Sequence, residues 1–162
     1  MGAEIERKFL VTGRDWKPAA AGVLMRQGYL SLDPRRTVRV RIAGDHGFLT
    51  IKGLTTGISR REYEYAVPLQ DATEMLEALC HRPLIEKTRY QIDVGGTRWE
   101  VDEFHGENDG LIVAEVELQA ADQAYVRPGW IGQEVSRDAR YFNSSLIESP
   151  YRLWRPREDA RS

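Results

Sequence analysis

Cysteine is almost absent from this chain. The single Cys80 among 162 residues excludes an internal disulfide and a cysteine-ligated zinc site. It lies in a helical pattern with no basic residues arranged to activate it, so it reads as packing. Histidine is nearly as scarce. His46, His81 and His105 fall in or near turns, at no ligand spacing, and read as surface residues. No apolar run approaches the roughly 20 residues that span a bilayer. The N-terminus lacks the basic-then-apolar pattern of a signal peptide. Neither charge sign dominates: the net charge is −2 and the pI near 6.0, which argues against nonspecific binding to nucleic acid. Repeats and low-complexity linkers are also missing. These absences leave a single domain over residues 1–155 and a polar, proline-broken tail, "RLWRPREDARS", that frays over residues 156–162. They point to the cytoplasm and to no membrane contact. Oligomeric state stays open, with a homodimer as one candidate.

What is present is strand pattern. It recurs at Glu4–Val11, Leu24–Leu32, Thr37–Ala43, Gly47–Lys52, Arg60–Pro68, Leu84–Val94, Arg98–Phe104 and Leu111–Leu118, separated by turns such as "AGDHG" and "VGGT". Helical pattern is sparser. Gln70–His81 places Met75, Leu76 and Leu79 on one face, Asp138–Glu148 is a second segment stopped by Pro150, and Thr12–Gly22 holds a short helix broken at Pro18. The fold class is α+β, an antiparallel sheet with a few flanking helices.

Side chains alternate between the faces of a strand. Glu4, Glu6 and Lys8 therefore share one face of the first strand, and Ile5 and Phe9 the other. The same rule pairs Arg39 with Arg41, Thr50 with Lys52, Glu62 with Glu64, Lys87 with Arg89, Glu100 with Asp102, and Glu115 with Glu117. For any one strand, a solvated face explains this. For seven strands it strains, because the charges cluster by sign, carboxylates on some strands and Arg/Lys pairs on others. A sheet closed into an eight-stranded barrel, charged face inward and apolar face covered by helices and loops, accounts for them together. Such a lumen is costly unless its charges are paired or met by a ligand. Arg forks and Lys ammonium groups suit a polyanion with several phosphate-like centres. Carboxylates suit Mg²⁺ or Mn²⁺ bridging to phosphate oxygens.

"EIERKFLV" carries an ExExK pattern. It is followed in order by "RVRI", "TIKG", "REYEY", "EKTRY", "WEVDEF", "AEVEL" and "EVSRDARYFNSSL". The chain resembles the CYTH superfamily of triphosphate tunnel metalloenzymes over nearly its whole length. The resemblance implies an eight-stranded antiparallel tunnel, two divalent ions (with Ca²⁺ as an inhibitor), and a small triphosphate as substrate. It implies that Glu4 and Glu6, completed by Glu115 and Glu117, bind metal, with Asp102 near a second ion. Lys8, Arg39, Arg41, Lys52, Lys87 and Arg89 resemble the phosphate-binding set. Glu62 and Glu64 match a family position and would orient basic side chains from behind. Tyr29 beside Lys52 would help take a proton from the attacking water, as a Tyr/Lys pair does in the related thiamine triphosphatases; packing is the plainer reading. Arg60 and Arg137 read as surface residues with phosphate contact as the alternative.

The leading expectation is hydrolysis of inorganic triphosphate to diphosphate and phosphate. Adenylyl cyclase and nucleoside or thiamine triphosphatase are the enzyme alternatives, and a polyphosphate-binding module is the non-enzyme one. No aromatic cage for a base or thiazole ring is evident, although Trp16, Trp130 and Trp154 could lie near an opening.

Overall fold

The structure is a computed structural model describing residues 2–19 and 21–155. Ten strands form one antiparallel sheet: β1 (Glu4–Val11), β2 (Val23–Ser31), β3 (Arg36–Ala43), β4 (His46–Gly53), β5 (Ser59–Arg60), β6 (Glu62–Val67), β7 (Ile85–Val94), β8 (Thr97–Phe104), β9 (Ile112–Leu118) and β10 (Ile131–Glu134). Tight hairpins join neighbours. Gly44, at φ 58°, opens the two-residue turn between β3 and β4, and Gly95 and Gly96, at φ 54° and 83°, make the turn between β7 and β8. Such turns need a left-handed backbone that only glycine adopts without strain. The strand order is β10-β1-β9-β8-β7-β2-β3-β4-β6.

Alternation sorts the two faces as read from the sequence. The apolar face of β1, β9, β8 and β7 packs Phe9, Tyr90, Trp99, Val101, Ala114 and Val116 under Trp16 and Ile131. The apolar face of β3 packs Val40 against Ala72 and Leu76 of α1 (Leu69–Ala78). Full burial of a leucine such as Leu76 is worth roughly 1.5–3 kcal/mol. A third cluster lies at one end of the charged face. There Tyr29, Ile85, Phe104 and Val113 meet Tyr141, Leu146 and Ile147 of the C-terminal segment. That segment thereby forms a floor under the charged face.

Several expectations need correction. The ladders do not return on themselves, so hydrogen bonds do not close a barrel. The reason is a break at Arg61 in the expected strand Arg60–Pro68. Before the break β5 pairs with β1; after it β6 pairs with β4, and among the described residues a single backbone bond, Glu62 N to the Gly2 carbonyl at 3.3 Å, crosses the seam. Thr12–Gly22 forms no helix among its described residues; it lies as a cover that buries Trp16. Asp138–Glu148 is a one-turn 3₁₀ segment, Ala139–Tyr141, and then the short α2 (Ser145–Glu148). The start of the tail is ordered as α3 (Tyr151–Trp154), whose Tyr151 and Trp154 pack on the floor cluster. The fraying expected at 156–162 lies outside the described residues.

Candidate active site

Cross-strand register brings the charged rows together. Lys8 of β1 stands opposite Glu115 of β9, and Glu6 opposite Glu117. Glu115 stands opposite Glu100 of β8, and Asp102 opposite Arg89 of β7. On the other side Tyr29 faces Arg39, Arg39 faces Thr50, and Thr50 faces Glu64. The result is a cavity of about 500 Å³ on the charged face. Every residue of the expected site lines it except Asp102.

The charges are segregated along this cavity. Beside the floor, Lys8 reaches Glu115 at 3.5 Å and the Tyr141 carbonyl at 3.3 Å. Lys87, only 1% exposed, donates to Asp102 at 2.7 Å. Arg89 grips both oxygens of the same Asp102, at 2.7 and 2.9 Å. Arg39 donates to Thr50 and reaches Glu64 at 3.5 Å, while its Nε is buried with no partner among the described residues. Toward the opposite, more exposed end lie Glu4, Glu6, Glu62 and Glu117, with Lys52 held by both oxygens of Glu4 at 3.2 and 3.1 Å. Arg60 joins them, donating to Thr37 at 3.3 Å. It belongs to the cavity, whereas Arg137 is exposed.

Each end nevertheless holds groups that are short of opposite charge. Burial, then the neighbouring Arg39 and Arg89, push Arg41 down to about 9. Burial, against the attraction of Asp102, pushes Lys87 down to about 7. At the carboxylate end, burial and the hydrogen bond that protonated Glu62 donates to Glu4 raise Glu62 to about 7. Burial, Glu115 and Glu4 raise Glu6 well above the usual carboxylate range. Only acids with cations at hand stay low. Burial opposes ionisation of Glu115, but Lys8 and Arg89 hold it at about 2. Under-neutralised cations at one end and proton-holding acids at the other suit an anion and a metal cation together. All the mouth donors are hard oxygens, which fits a divalent ion of the Mg²⁺ type. Among the described residues, however, no three ligands stand gathered at metal-binding geometry. Glu4 is engaged by Lys52 and Glu62, and Glu115 by Lys8.

The CYTH domain family profile matches residues 2–151. The chain belongs to the CYTH domain family. It is 53% identical over 152 residues to an inorganic triphosphatase of Acetivibrio thermocellus, covering 94% of this chain and 97% of that protein. It is 40% identical to an inorganic triphosphatase of Nitrosomonas europaea, covering 90% and 97%. A crystal structure of an inorganic triphosphatase matches with a TM-score of 0.65 and 36% identity, over 90% of this chain and 97% of that one. A putative adenylate cyclase from Bacillus halodurans shares the fold, with a TM-score of 0.61 at 18% identity, over 75% of this chain and 84% of that one.

In and around this CYTH cavity six residues stand in places other than those expected. Asp102, expected near a second ion, stands behind the cavity lining, and both its oxygens accept from Lys87 and Arg89. Tyr29 and Lys52 do not pair: Lys52 sits on Glu4, while Tyr29 packs into the floor cluster near Lys8 and Arg41. Trp16, Trp130 and Trp154 pack in the apolar clusters and none lines the cavity. Two polar residues were missed. Gln27, fully buried, is legible in hindsight because it shares a face with Tyr29 on β2. Asn143 stands in a loop, where alternation gives no signal. A second hollow, about 800 Å³ at the rim, shares Glu100 and Glu117 with the first. Its Tyr125 is engaged with Phe9 and Trp99.

Proposed function

We infer that this CYTH chain is an inorganic triphosphatase, hydrolysing inorganic triphosphate to diphosphate and phosphate with a divalent metal ion. One observation carries the reading: a single cavity holds cations beside its floor and carboxylic acids toward its opening, and in each set a buried member, Arg41 in one and Glu62 in the other, is short of counter-charge. The triphosphatase relatives at 53% and 40% identity support it. In this reading Lys8, Arg39, Arg41, Lys87 and Arg89 bind the phosphate chain and stabilise charge that develops on the leaving oxygens. Asp102 holds Lys87 and Arg89 in place from behind. Glu4, Glu6, Glu115 and Glu117 would hold the metal, with Lys52 displaced from Glu4 onto phosphate. The ion, when bound, supplies Lewis-acid polarisation of phosphate oxygen and a lower pKa for water. Water oxygen attacks the terminal phosphorus and gives up a proton to solvent, the bridging P–O bond breaks, and its electron pair leaves with diphosphate. No Ser, Cys or His nucleophile is required.

The finer reading keeps two Mg²⁺ or Mn²⁺ ions as the loading, with Ca²⁺ as an inhibitor. It also has the wall closing into a tunnel at the seam between β6 and β1, which β5 partly bridges. The test is phosphate release from inorganic triphosphate by the purified protein. We expect turnover with Mg²⁺ or Mn²⁺ and none after EDTA. Tight binding without release under either metal would leave a polyphosphate-binding module instead.

A further inference from the structure

Asn143 sits where the C-terminal segment meets the cation-rich end of the cavity, and it lines that cavity with Phe142 and Ser144. Two donors converge on its Oδ1. Gln27 Nε2 donates at 2.9 Å, and Lys87 Nζ donates at 2.9 Å. The orientation of Gln27 is itself fixed, because its Oε1 accepts from Arg41 Nε at 2.8 Å. An ammonium group can only donate, and so can the amide nitrogen of Gln27. The Asn143 atom facing them is therefore oxygen, and its amide nitrogen must point elsewhere. Among the described residues, that nitrogen has no hydrogen-bond partner and is not sealed from solvent. It is a neutral donor on a residue that lines the same cavity as Lys8, Arg41, Lys87 and Glu115. Such a donor can serve an anionic oxygen and cannot serve a cation.

We propose that Asn143 is a substrate-binding residue whose Nδ2 donates to an oxygen of the phosphate group seated nearest the floor. This rests on the reading of the cavity as a triphosphate site. Asn143 adds directionality where the neighbouring cations add charge. It also couples the C-terminal segment to the substrate, since the same side chain ties that segment to Gln27 and Lys87.

Two substitutions separate this role from a purely structural one. Asn143→Asp keeps the oxygen that Gln27 and Lys87 need, but replaces the free donor by a second, negatively charged oxygen. Asn143→Ala removes both. If Asn143 only anchors Gln27 and Lys87, the aspartate variant keeps that anchor, loses affinity only through the charge it adds beside a polyanion, and binds no more weakly than the alanine variant. If its nitrogen holds phosphate, the order reverses. We expect calorimetric affinity for inorganic triphosphate, measured with Ca²⁺, to fall roughly 10-fold in Asn143→Ala, as for one lost hydrogen bond to a charged group. We expect a loss of roughly 100-fold or more in Asn143→Asp, with its melting temperature within a few degrees of the unmutated protein. Affinity in Asn143→Asp equal to or above that in Asn143→Ala overturns the assignment. Should the alanine variant fail to fold, Asn143→Ser takes its place in the same comparison. Unmutated protein that binds triphosphate without turnover would overturn the activity, yet the binding order would still decide the role of Asn143.

Discussion

Glu4→Gln and Glu6→Gln each lower kcat/KM for inorganic triphosphate by roughly a thousandfold or more, about 4 kcal/mol of transition-state stabilisation, and leave the fold intact. The two effects separate because of what surrounds these acids. Burial, Glu115 and Glu4 press Glu6 toward its protonated form, which glutamine imitates in shape and charge. Glu4 shares a hydrogen bond with Glu62 and holds Lys52; a neutral amide at the same place keeps an acceptor for that ammonium group. Stability therefore changes little, while the ability to hold a divalent cation is lost. Steady-state kinetics across a metal titration, beside thermal melts, make the check. Near-normal rates at ordinary metal concentration in both variants would remove the metal from this end of the cavity.

Asp102→Asn destabilises the protein by about 3–5 kcal/mol at pH 7, because it strands two buried cations. Asp102 is 1% exposed and accepts from Lys87 and from two nitrogens of Arg89. Burial alone would raise its pKa; Arg89 and Lys87 overcome that and hold it well below the carboxylate range. A depressed folded-state pKa contributes stability that is present above the unfolded value, about 3.9, and is lost as pH falls below it. The gap between the two proteins should therefore persist from pH 7 to about pH 4 and narrow in stronger acid. Lys87, already down at about 7, would respond by giving up its proton, so activity falls with stability. Urea denaturation at pH 7 and pH 3 measures the stability gap, and steady-state rates at pH 7 measure the loss of activity. A gap under ~1 kcal/mol at pH 7 would show that Asp102 does not hold the cationic wall.

Much of this was legible in the chain because period-two alternation is a local property. Ile5 and Phe9 on one side, and Glu4, Glu6 and Lys8 on the other, can be assigned with no knowledge of neighbouring strands. Register is not local. Asp102 was placed on the correct face, but only its position opposite Arg89 reveals that its oxygens are already spent. Lys52 and Tyr29 likewise share the charged face yet have different partners, Glu4 for one and the floor cluster for the other. Short or irregular pieces carried too little signal. β10 is four residues, "IGQE", and the break at Arg61 interrupts a stretch whose alternation reads straight through. Asn143 and Trp16 lie in segments without regular structure, where neither period applies, and their roles come entirely from what they touch.

The central claim is that this cavity fits a bare triphosphate, with every phosphate among Lys8, Arg39, Arg41, Lys87 and Arg89 or at the carboxylate end. In this reading a nucleotide leaves its base outside, and esterification removes one terminal charge. The decisive measurement is kcat/KM for inorganic triphosphate, ATP and thiamine triphosphate under one set of conditions, with products identified. Inorganic triphosphate should lead by at least ~10-fold, about 1.4 kcal/mol of differential transition-state binding. Equal or higher kcat/KM for ATP, or cyclic AMP among the products, would contradict it.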